Sequence, residues 1–118
     1  MRSGSSFVLV GANGETPKLP HANIWGRVSI VGDCLGNNDP MIKGATIIWP
    51  HGTKITADDP LTIDVPTLGS LRVGDRVDGL GDYFVNHRVG QVNLDYLPKG
   101  IDRVPSGCHR NQVIAFYP

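Results

Sequence analysis

The sequence predicts a small all-β domain, and two observations carry that expectation. Glycine and proline, 15 and 9 of the 118 residues, break the chain so often that the longest stretch without either is the ten residues 108–117. A globular helix runs about 8–20 residues, and a glycine or proline inside it costs roughly 1 or 3 kcal/mol. A helical bundle is thereby excluded and a βαβ repeat disfavoured. Between the breaks the apolar residues recur with a period of two, most cleanly where Leu61, Ile63 and Val65 alternate with Thr62 and Asp64, the pattern of a half-buried strand.

The elements follow in order. Residues 6–10 are a short apolar strand. Residues 24–31 alternate, with Val28 and Ile30 apolar and Arg27 and Ser29 polar. Residues 33–40 are rich in Asp, Asn and Gly, which tolerate a positive φ, and read as a turn cluster. Residues 42–49 end in the apolar run Ile47-Ile48-Trp49, and Pro50-His51-Gly52 stops it. Pro60 and Pro66 bracket the strand 61–65 at permitted positions. Residues 71–77 form the next strand, with a bulge or sharp bend at Gly74-Asp75. Gly79 and Gly81 mark another bend before 82–85, and 89–94 either continue that strand or form a separate one. Residues 97–107 are a crossing loop and 112–117 a terminal strand. Short, closely spaced strands with glycines at the bends, and the Val73-Gly74-Asp75-Arg76-Val77 step, point to a small OB-like β-barrel, closed or partly open, of about six or seven short strands. Residues 24–118 are assigned to that barrel, and residues 1–23 to an N-terminal extension with a possible added strand.

Charge excludes some partners. Lys plus Arg equals Asp plus Glu at 11 each, and the isoelectric point is about 6.9. No long-range field draws the chain to nucleic acid or anionic lipid. Arg72, Arg76 and Arg88 are the candidates for one basic face, but a nucleic-acid groove is not expected. No apolar run reaches the ~18 residues of a membrane span. Phe7-Val8-Leu9-Val10 is shorter than the apolar region of a signal peptide, and residues 1–6 read as an appended segment or the trimmed end of a longer precursor.

The chemistry candidates are sparse. His21, His51, His87 and His109 are dispersed, so no local chelate exists and no metal is expected. Ser106, His109 and Asp102 have the composition of a triad with nothing to orient them. Asp58 and Asp59 are adjacent, and on an extended chain they point to opposite faces. Asp33, Asn37, Asn38 and Asp39 lack the register of a calcium loop. Gly11-Ala12-Asn13-Gly14 has no phosphate-binding lysine. No cofactor and no catalysis are expected. Cys34 and Cys108 are the two cysteines. They read as a disulfide, as two separate core thiols, or as a reactive thiol that His109 would activate.

Four local features carry a resemblance. They are Gly26-Arg27-Val28 leading to Asp33-Cys34-Leu35; Ile47-Ile48-Trp49-Pro50-His51-Gly52-Thr53; Val73-Gly74-Asp75-Arg76-Val77 with Gly79 and Gly81; and Gly107-Cys108 before the terminal strand. Over residues 24–118 the chain resembles small extracytoplasmic β-barrel domains of actinobacteria, found in lipoproteins and secreted proteins. The resemblance implies that Cys34 and Cys108 pair, that Trp49 packs beside them, and no defined enzymatic activity. The resulting expectation is a non-catalytic, disulfide-stapled binding or structural module at the cell envelope or outside the cell. A protein or glycan is the expected partner, self-association is allowed, and Trp25, Tyr83, Tyr96 and His51 are the candidate contact residues. The alternatives are a phage virion component, decorating or tail-associated, and an OB-type nucleic-acid-binding domain.

Overall fold

Alternating apolar residues become strands wherever the chain pairs. The computed structural model describes residues 1–11, 22–38, 44–86, 91–92, 104–109 and 112–117. Among the described residues the elements are β1 (Arg2–Ser3), β2 (Ser6–Phe7), β3 (Leu9–Val10), β4 (Ala22–Val31), β5 (Cys34–Asn38), β6 (Ala45–Trp49), β7 (Lys54–Asp58), β8 (Leu61–Val65), β9 (Gly69–Arg72), β10 (Arg76–Asn86), β11 (Gln91–Val92) and β12 (Gln112–Tyr117), with no helix. The all-β class expected from the sequence is the class observed.

The strands form two sheets. The larger runs β1-β2-β5-β4-β10-β12-β6-β3, with β11 on β10, and the smaller is the meander β7-β8-β9. The larger sheet ends in the short strands β1 and β3, so it is not closed across its full width. Within it, β6 also lies antiparallel to β5 through Gly36↔Thr46 and Asn37↔Ala45, so the sheet curls on itself. Gly36 permits that approach, because a Cβ there would collide with Ala45 O.

Two apolar layers follow from the period of two. Val28, Leu35, Ile47, Trp49, Ile114 and Phe116 face inward and pack with Leu61, Ile63 and Val65 of the meander. The alternate residues Cys34, Ile48, Val113 and Ala115 face the other way and pack with Phe7, Leu9, Val104 and Cys108. Every residue of β6 is therefore buried, as in strands covered on both faces.

Several expectations are corrected. Residues 33–40 are not one turn cluster: the chain turns at Gly32-Asp33, with Gly32 at φ 61°, Cys34–Asn38 is strand β5, and residues 39–40 lie outside the described residues. Its Gly-Asn-Asn content masks a strand that β4 and β6 hold from both sides. The bend expected at Gly74-Asp75 is present, and it splits residues 71–77 between two strands. Gly74, at φ 99°, bends the chain between β9 and β10, and Asp75 N–H donates to Arg72 O at 3.0 Å. Gly79 and Gly81 make no bend; β10 runs through them, paired with β4 along one half and β12 along the other. The irregularity in β10 lies between Tyr83 and Val85. Residues 91–92 form a separate strand antiparallel to β10. Strand β7 was not expected: it is a mostly exposed edge whose Lys-Ile-Thr-Ala-Asp run has no clear apolar face. Ile30 is 42% exposed despite its place in the alternation of β4. The remainder of the expected strands 42–49 and 89–94 and of the loop 97–107 lies outside the described residues.

The close contact of β5 and β6 is testable. Gly36→Ala is expected to destabilise the fold by about 1–3 kcal/mol, the usual cost of forcing volume into a packed site. Urea unfolding measures it, and an unchanged midpoint would contradict the pairing.

Candidate functional site

Cys34 and Cys108 form a disulfide across 74 positions of sequence, with their Cα atoms 5.2 Å apart. The backbone builds the junction. Gly32 bridges Cys108 in antiparallel fashion. Asp33 N–H donates to Gly107 O at 3.1 Å, and Asp33 O accepts from Phe7 N–H at 2.6 Å. Thr46 Oγ–H donates to His109 O at 2.8 Å, and His109 Nδ1 lies 3.1 Å from Gly44 O. With both cysteines bonded, no thiolate remains for His109 to activate.

Trp49 does not pack beside the disulfide. Its ring belongs to the inner layer and the cysteines to the outer one, because successive residues of a strand face opposite ways. The indole N–H donates to Leu35 O at 3.3 Å, and the ring meets Phe116 edge-on at 5.6 Å. The Trp-Pro-His-Gly-Thr element is a capped turn instead. Thr53 Oγ–H donates to Pro50 O at 2.7 Å. Trp49 O accepts from Gly11 N–H at 2.8 Å, and His51 Nδ1 lies 3.1 Å from Gly11 O. The turn fastens the N-terminal segment to the end of β6.

The open face lies elsewhere, on β4 and β10. Val28 and Val77 of these strands point inward. Trp25, Arg27, Arg76 and Asp78 point outward and are exposed, Trp25 by 42%. The register sets Trp25 opposite Asp78 and Arg27 opposite Arg76, while on the other side Arg27 faces the exposed Asn38 of β5. Arg27 donates through Nη1 to Gly74 O at 3.0 Å. Asn37, buried on the inner side, donates through Nδ2 to Trp25 O at 3.0 Å. Gly26, at φ 138°, leaves room for that amide: a Cβ there would run into Asn37 Oδ1 and Asn38 O.

Three of the four candidate contact residues lie on different elements. Trp25 is on the open face. His51 is exposed but belongs to the turn beside Gly11. Tyr83 lies further along β10, opposite Ile114 of β12. Tyr96 lies outside the described residues. The expected basic face changes membership. Arg72 belongs to the smaller sheet and pairs with Asp75 at 3.6 Å, Arg88 lies outside the described residues, and Arg76 meets Arg27 instead. Arg27, Asp78 and Asn38 carried no signal in the sequence, because only the strand register sets them beside Trp25.

Among the described residues, no three His, Cys, Asp or Glu side chains are grouped to hold a metal ion. Among them, too, no helix is long and apolar enough to cross a membrane. Compared with protein-family models, curated proteins and solved structures, the chain matches none.

Two outcomes follow from this geometry. The double variant Cys34→Ala/Cys108→Ala is expected to lose about 4–5 kcal/mol of stability on the loop-entropy model, read from denaturant unfolding; a loss under about 1 kcal/mol would contradict a stapling role. The two tryptophans also differ in access, since Trp49 is wholly buried. Acrylamide is expected to quench Trp25 and spare Trp49, so Trp25→Phe should leave a blue-shifted, poorly quenched emission. Unchanged quenching would place Trp25 in the interior.

Proposed function

We propose that this chain is a non-catalytic, disulfide-stapled binding module that works outside the cytoplasm, built on a partly open OB-like barrel. The observation that carries the reading is the Cys34–Cys108 bond at the junction of three chain segments. Disulfides persist in oxidising compartments and are rare in the cytosol. The resemblance to actinobacterial extracytoplasmic domains points the same way.

The barrel reading is supported by the order of pairing. β4 pairs with both β5 and β10, β12 joins β10 to β6, and β6 returns to β5. β6 and β12 run parallel and the other four contacts are antiparallel. Five strands thus surround the inner layer in the Greek-key manner of an OB-like barrel, and the meander β7-β8-β9 is inserted between the third and fourth of them.

OB barrels take oligonucleotides and oligosaccharides on the face of their second and third strands. In this ring those are β5 and β6, and their outward residues Cys34 and Ile48 are covered by Phe7, Leu9 and Val104. The nucleic-acid reading loses its usual face. The face of β4 and β10 around Trp25 stays open, and it is the contact surface in this reading.

The compartment and the staple are tested together by trapping free thiols in the protein as isolated from its native source, followed by intact mass. No added label is expected. Two labels per chain, with full labelling only in a cytosolic fraction, would overturn the reading.

A further inference from the structure

The open face of β4 and β10 carries side chains whose chemistry converges on one kind of ligand. Trp25 presents an indole from a strand paired along its length, so the ring stands on a rigid base. Arg27 and Arg76 are directly opposite across the strands. Like charges so placed destabilise a sheet, and among the described residues neither arginine makes an ion pair. An anion between them would turn that repulsion into attraction. Arginine forks pair with carboxylates through two parallel hydrogen bonds. Arg27 spends one donor group on Gly74 O, which leaves its others for such a partner.

Two further residues define what bears the carboxylate. Asp78, exposed and directly opposite Trp25, accepts hydrogen bonds from hydroxyl groups. Asn38 beside Arg27 offers both a donor and an acceptor. An aromatic platform flanked by a carboxylate and an amide suits the apolar face and vicinal hydroxyls of a sugar ring. We infer that this face binds a uronic acid unit of an acidic polysaccharide, with the ring stacked on Trp25, its hydroxyls on Asp78 and Asn38, and its carboxylate between Arg27 and Arg76. The inference rests on the reading of the chain as a binding module and names its ligand. Recognition is local, since the chain as a whole has no net charge, and added salt weakens it by screening the arginines.

The test uses the full chain and three oligomers of equal length: oligogalacturonate, a neutral malto-oligosaccharide and oligothymidylate. Protection of Trp25 from acrylamide reports binding, and the buried Trp49 reports that each variant is folded. Oligogalacturonate is expected to protect Trp25 at about millimolar concentration or below, at least about tenfold better than either other oligomer. Trp25→Ala, followed by calorimetry, is expected to abolish binding. Arg27→Gln/Arg76→Gln is expected to weaken it by about tenfold or more while leaving the unfolding midpoint equal or higher, because the cross-strand repulsion is gone. The inference is overturned if oligogalacturonate gives no protection at about ten times that concentration, if the neutral oligomer or oligothymidylate binds as well, or if the arginine variant binds unchanged. Failure here with the native thiols bonded removes the ligand and leaves the stapled module; free native thiols remove the module itself.

Discussion

Strands β5, β6 and β12 have apolar residues on both faces, and the architecture depends on keeping water from the outer one. The inner face is covered by the curled sheet itself and by the meander. The outer face has no second sheet to cover it. Residues 1–11 and 104–109 do so instead, with Phe7, Leu9 and Val104 against Cys34, Ile48, Val113 and Ala115. Ordering chain costs about 1–2 kcal/mol of backbone entropy per residue, so a cover made of two-residue strands and turns needs to be fastened. Both covers are fastened at one residue: Asp33 N–H donates to Gly107 O, and Asp33 O accepts from Phe7 N–H. The disulfide beside that residue limits how far the unfolded chain can wander, and so favours the covered state.

This constraint also decides where a ligand can sit. A curled sheet whose strands β5 and β6 are capped by its own chain offers no groove there. The available surface lies further along the outer face, where β4 and β10 alternate Val28 and Val77 inward with Trp25, Arg27, Arg76 and Asp78 outward. One covered face and one polar face arise from the same strands because the pleat sends neighbours in opposite directions.

The sequence made the fold class legible, along with the elements whose burial differs between faces. Leu61, Ile63 and Val65 read correctly because Thr62 and Asp64 are out of the core. β5 did not read, because Gly36 and Asn37 are chosen for a close strand contact and an inward hydrogen bond, not for β propensity. β7 did not read because an exposed edge needs no apolar pattern. Of the site, Trp25 and Arg76 were singled out, but their neighbours were not. A one-residue change of register would send Arg27 or Asp78 to the other face, and register between β4 and β10 is set by pairings far apart in sequence.

The exposure of Trp25 is held in place by the backbone beneath it. Among the described residues the β4–β5 ladder runs as far as Arg27 and Asn38. The carbonyl of Trp25 lies past that pair, and a carbonyl withdrawn from water needs a donor, since leaving it unpaired costs free energy comparable to a lost hydrogen bond. The side chain of Asn37 supplies a donor, reaching Trp25 O at 3.0 Å from within the inner layer. That reach requires Gly26, since any side chain there would occupy the space of the amide. Gly26 and Asn37 thus add a side-chain bond to the backbone of β4 beside the Arg27–Asn38 pair. On its other edge Trp25 is paired to Asp78. The indole is therefore carried by a residue anchored from both sides, and it presents a fixed surface to solvent at little entropic cost to whatever stacks on it.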